Sequence, residues 1–133
     1  MVHLPEGVQG VTNLSKRNRA NKRRGSGWEV LLRTFIKGQG FFVERIARKG
    51  KKDIGDLVVI DDFGDHWIIE AKDVSTPKLS QWCAEAAAEA DHYAEHAGIP
   101  RERVHWVVIW KRRQHGVERS YVVTELGEWA ASL

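Results

Sequence analysis

Little in this 133-residue chain is set aside for crosslinking or for lipid. Its one cysteine, Cys83, excludes an internal disulfide. No apolar run approaches the ~20 residues that span a bilayer, so no membrane partner is expected. The first ten residues, MVHLPEGVQG, lack the basic and then apolar blocks of a secretory signal. These absences make a reducing cytoplasm the expected compartment, prokaryotic or, for a viral protein, that of the host. Internal repeats are also missing.

The longest stretch without an acidic residue lies between Glu6 and Glu29. Six cations lie there within nine residues: Lys16, Arg17, Arg19, Lys22, Arg23 and Arg24. Removing them from the net charge of +3 leaves −3, so one segment makes the protein basic. A cationic arm gains affinity for phosphate backbones by releasing counterions, and DNA is the expected partner. A second cluster, Arg45, Arg48, Lys49, Lys51 and Lys52, precedes Asp56 and extends the expected DNA-binding set.

With 42% hydrophobic and 29% charged residues the composition is that of a globular protein, and the length suits one domain. Residues 1–24 read as a flexible basic arm and 25–133 as the folded, catalytic part. Trp28, Leu31, Leu32, Phe35 and Ile36 follow helical spacing up to Gly38 and Gly40. A strand is expected over 41–47, a basic loop over 48–55 and a hairpin over 56–71 with its turn at 61–65. Thr76 and Pro77 read as the N-cap and first position of a helix to Ala97, with a stripe of Leu79, Trp82, Cys83, Ala86, Ala90, Tyr93 and Ala97. Val104–Trp110 reads as a strand buried on both faces and parallel to the hairpin. A last strand over 119–123 and a short helix over 126–131 complete the order. The fold class is therefore α/β, a central mixed five-stranded sheet flanked by helices. Of the six tryptophans, Trp110 and Trp129 stand near element ends and are candidates for a dimer surface.

The stretch GDLVVIDDFGDHWIIEAK carries the chemistry. With residues 61–65 as the turn, antiparallel pairing sets Ile60 against His66, Val58 against Ile68 and Asp56 against Glu70. Alternation puts Lys72 on the same face. Two carboxylates and an ammonium thus converge where hard oxygen donors suit a divalent metal, as in a metal-dependent phosphodiesterase. Glu29 lies at the margin of the first helix's apolar stripe, where it can line a cleft. Ser26-x-x-Glu29 also fits a capping box.

The segments RRGSGWE (23–29), ERIARKGKKDIGDLVVI (44–60) and IIEAK (68–72) resemble the archaeal-type Holliday junction resolvases, of the PD-(D/E)xK nuclease superfamily. The similarity spans about residues 22–110. The family's Arg-Gly-Ser-like lead into an acid-bearing helix is matched by Glu29, the strand-opening aspartate by Asp56, and the Glu-x-Lys by Glu70 and Lys72. Gly55 stands before Asp56 rather than proline, and Ala47-Arg48-Lys49-Gly50 replaces a hydroxyl-bearing loop common among archaeal resolvases.

The resemblance implies a restriction-endonuclease-like fold and a homodimeric, Mg²⁺-dependent endonuclease that cuts four-way DNA junctions. Glu29, Asp56, Glu70 and Lys72 are the expected catalytic residues. Asp56, Glu70, the Ala71 carbonyl and Glu29 are the expected metal ligands, with Mn²⁺ as a substitute for Mg²⁺. Action on duplex, flap or restriction-type DNA, or a non-catalytic nucleic-acid-binding module on the same scaffold, are the alternatives. His92 and His96, one helical turn apart beside Glu95, would hold zinc only with a further ligand from another helix.

Overall fold

The computed structural model describes residues 27–47 and 55–133. Helix α1 covers 27–38 and ends at a turn in which Gly40 takes φ +92°, a value open to glycine. Strands β1 (Phe42–Arg45), β2 (Leu57–Ile60) and β3 (His66–Lys72) follow, then helix α2 (Leu79–Ala97). Strands β4 (Val104–Trp110) and β5 (Tyr121–Val123) and helix α3 (Leu126–Ala131) complete the fold. The five strands form one sheet in sequence order. All neighbours are antiparallel except β3 and β4, which run parallel through the α2 crossover. The fold is thus α/β, a mixed five-stranded sheet with helices on its faces.

Alternation along the strands makes two cores. Leu57, Ile69, Val107 and Ile109 face α1 and pack with Trp28, Leu32 and Val43. Val58, Ile68, Val104, Trp106 and Val108 face α2, whose Ala86, Ala90 and Ala94 let the helix lie close on the sheet. Burying a side chain such as Ile68 fully contributes about 1.5–3 kcal/mol. Trp28 Nε1 also donates to the Ile109 carbonyl (3.3 Å), which ties α1 to the interior strand β4.

The hairpin has the expected register, with Ile60 opposite His66 and Val58 opposite Ile68. Asp61 builds its turn: its Oδ1 accepts from the Phe63 and Asp65 amides (2.9 and 3.0 Å) and its Oδ2 from Trp67 Nε1 (2.9 Å).

Several expected boundaries shift. The first strand is Phe42–Arg45, shorter than 41–47, although the Ile46 amide still reaches the Asp56 carbonyl (2.9 Å) as a last rung. Helix α2 starts at Leu79 rather than near Thr76, because Trp110 Nε1 donates to the Val74 carbonyl (2.8 Å) and holds the connector against the end of β4. The last strand begins at Tyr121, since Val117–Arg119 winds into a 3₁₀ turn. Leu31, Phe35, Leu79 and Ala97, placed on buried stripes by spacing, are exposed, while Ala94 is buried. Trp110 packs edge-on against Trp82 (5.6 Å) and beside Tyr121 (5.7 Å), so of the two suggested dimer tryptophans only Trp129 is exposed.

Candidate active site

Antiparallel pairing brings the start of β2 beside the end of β3. The Asp56 amide donates to the Ile69 carbonyl (3.1 Å), and the Ala71 amide donates to Asp56 Oδ2 (2.8 Å). The aspartate is therefore clamped to the backbone between Glu70 and Lys72. Gly55 makes this entry possible. Its φ is +99°, which proline cannot adopt, and a Cβ there would collide with Ile68 Cγ2 and lie 3.6 Å from Glu89 Oε2.

Glu70 lies on the α2 face of the sheet and is buried, at 8% exposure. It shares a carboxyl–carboxyl hydrogen bond with Glu89 of α2, itself 4% exposed. Burial above all, then the Glu89 bond and the charges of Asp56 and Glu89, push the Glu70 carboxyl up to about 11, against the pull of Lys72. Lys72 Nζ lies 3.5 Å from Glu70 Oε1 and 3.3 Å from Glu85 Oε2, and 5.9 Å from the centre of the Trp82 ring. Burial works against its charge, but Glu70 and Glu85 outweigh burial and raise its pKa. Gln81 Nε2 donates to Glu85 Oε1 (2.9 Å) and steadies that partner.

Glu29 arrives from α1 on the other side of Asp56. Its Oε2 is 3.6 Å from Arg45 Nε. Burial and the adjacent Asp56 lift its carboxyl to about 7 despite Arg45, and the protonated form donates to Asp56. Ser26, the other half of the suggested capping box, lies outside the described residues.

The structure thus brings Glu29, Asp56, Glu70 and Lys72 to one end of the sheet from three separate elements. The Ala71 amide points to the β2 side of β3, where it meets Asp56. Among the described residues no three His, Cys, Asp or Glu side chains form a ready cage for a metal ion. The acids stand instead as two hydrogen-bonded pairs, Glu29 with Asp56 and Glu70 with Glu89. Their chemistry still fits a hard divalent cation. All donors are oxygen, the carboxyls repel one another, and no protein donor reaches the buried Glu70 Oε2.

Glu89 and Glu85 are the residues that sequence reasoning missed. The signal for Glu89 was present, because its spacing from Trp82 and Ala86 puts an acid on the buried stripe of α2. Of the expected DNA-binding cations only Arg45 is described. Lys16, Arg17, Arg19, Lys22, Arg23, Arg24, Arg48, Lys49, Lys51 and Lys52 lie outside the described residues. His96 is exposed at the end of α2, and no metal cluster forms around the helical histidines among the described residues. No helix among the described residues is long and apolar enough to cross a membrane. The chain matches no protein-family model and no curated protein at a significant level.

Proposed function

We propose that the protein is a divalent-metal-dependent endodeoxyribonuclease that cuts branched DNA, with the four-way junction as its preferred substrate. One observation carries this reading: Asp56, Glu70 and Lys72 meet at one sheet end with Asp56 clamped to the Ala71 amide, and Glu29 closes the group from α1. Asp56 and Glu70, with Glu29, are the residues that would hold Mg²⁺, or Mn²⁺ in its place. Such an ion supplies positive charge for the phosphate and lowers the pKa of water.

The protein's own groups do the rest. Lys72, paired with Glu85 at 3.3 Å, offsets negative charge gathering on the phosphate under attack and orients the incoming water. Glu85 and Gln81 hold the ammonium in place. Glu29, poised near 7, can exchange a proton at working pH. Asp56 is kept in one rotamer by the Ala71 amide, so its orientation is set before substrate arrives.

A second copy of the chain is the proposed partner besides DNA. Val122 on the edge strand β5 is 65% exposed, and Leu126 (76%), Trp129 (53%) and Leu133 (85%) in the residues that follow it are exposed too. Two-fold pairing there would supply two sites for a symmetric junction. A dimer mass that falls to a monomer in Trp129→Glu supports this, and a monomer at micromolar concentration removes it.

The deciding assay incubates the protein with Mg²⁺ or Mn²⁺ and a labelled junction, duplex, flap or single strand. Metal-dependent nicking of the junction, lost in Asp56→Asn, is the expected result. Cleavage that favours duplex or flap would reassign the substrate, and binding with no cleavage would make this a non-catalytic module.

A further inference from the structure

Glu29, Arg33 and Lys37 recur every four residues on α1, so they share one stripe of the helix. Arg33 and Lys37 continue that stripe away from the acidic cluster for about 12 Å at 1.5 Å per residue. Across from them runs the edge strand β1, antiparallel to β2 and free on its other side among the described residues. Between helix and edge lies an open groove of about 610 Å³, lined by Arg33, Lys37, Phe41, Phe42, Glu44 and Arg45, among others. Arg33, Lys37 and Arg45 bring three cations to it. Arg45 sits at the catalytic end, where its Nε is 3.6 Å from Glu29. Phe41 sits at the far end and is 45% exposed.

Cations in a row beside exposed aromatic rings form the surface that binds an unpaired nucleic-acid strand, the charges following the phosphates and the rings stacking on bases. A paired duplex keeps its bases stacked on each other and cannot use the rings. We propose that the groove between α1 and β1 holds a single-stranded DNA segment leading away from the catalytic cluster, with Arg45, Arg33 and Lys37 on its phosphates and Phe41 against its bases. The neighbouring cluster is a catalytic site only on the nuclease reading, and on that reading the groove selects DNA whose strands are splayed next to the cut.

Fluorescence anisotropy on the full-length Asp56→Asn chain, which would leave DNA uncut, tests the groove with labelled oligothymidylate and a blunt duplex of equal length. Phe41→Ala is expected to weaken oligothymidylate binding about tenfold and to change duplex binding less than twofold. Lys37→Gln should weaken oligothymidylate binding and lower its salt slope by about 0.7. Equal losses on both probes, or no loss on the single strand in any variant, would overturn the proposal. A change of solution mass in Phe41→Ala would also overturn it, by giving the edge to a second copy. The side chains are exposed, so unchanged melting temperatures are expected, and Lys37→Gln carries the test if Phe41→Ala does not fold. Failure of the nuclease reading appears elsewhere, as wild-type protein that leaves every metal-supplemented substrate intact while its oligothymidylate binding still responds to these substitutions.

Discussion

Asp56 Oδ2 accepts the Ala71 amide at 2.8 Å, so one strand's carboxylate is fastened to the backbone midway between the next strand's glutamate and lysine. This bond separates two roles of Asp56. Asparagine keeps a side-chain oxygen for the amide but lacks the charge, whereas alanine loses both. Asp56→Asn should abolish metal-dependent cleavage with a melting temperature close to wild type. Asp56→Ala should be equally inactive and less stable by about 1–3 kcal/mol, read from denaturant unfolding. Full cleavage by Asp56→Asn would remove this residue from the mechanism. Glu70→Gln and Lys72→Ala should be as inactive while retaining DNA binding.

Glu70 predicts an unusual pH dependence for the metal-free fold. Its carboxyl is raised from 4.5 to about 11 by burial and by its acidic neighbours, so the folded chain holds this proton more tightly than the unfolded one. The stabilisation is complete below pH 4.5 and is lost as pH rises toward 11. In chelator, the melting temperature should fall from about pH 6 to about pH 9. Glu70→Gln stays neutral throughout and should flatten that fall, raising the melting temperature at the alkaline end by roughly 3–5 °C for each kcal/mol recovered. Identical curves for both proteins would show that Glu70 ionises freely in the fold.

Gly55 should tolerate no side chain. Its φ of +99° and the collision of any Cβ with Ile68 Cγ2 act together, and Gly55→Ala is expected to cost about 1–3 kcal/mol in chemical denaturation. Activity should fall as well, because Asp56 is the next residue. A wild-type denaturation midpoint in this variant would contradict the account.

The six cations of residues 16–24 make a prediction from charge alone. Removing residues 1–24 should weaken DNA binding and shallow its dependence on salt, by up to about 0.9 in slope for each duplex phosphate that the arm neutralises. Cleavage under saturating DNA should persist. A slope identical to that of the full chain would show that the arm neutralises no phosphate.

The turn at 61–65 and the alternation of apolar residues settled the hairpin in the sequence, and with it the register that sets Asp56 near Glu70 and Lys72. Local chemistry suffices there, because the Asp61 turn fixes the register and a one-residue slip would exchange the side chains of the two cores. The parallel β4 was legible for a similar reason, as an unbroken apolar run has to be covered on both faces. Helix stripes were less legible. Spacing identifies a face but not how far the sheet extends beneath it, so Leu31, Phe35 and Leu79 lie exposed past the covered part. What only the tertiary structure decided are the meetings of elements distant in sequence: Glu89 against Glu70, Arg45 against Glu29, and Trp110 holding Val74 so that α2 starts late. Each depends on where a helix lands on the sheet, and that follows from packing two cores at once, which no local pattern encodes.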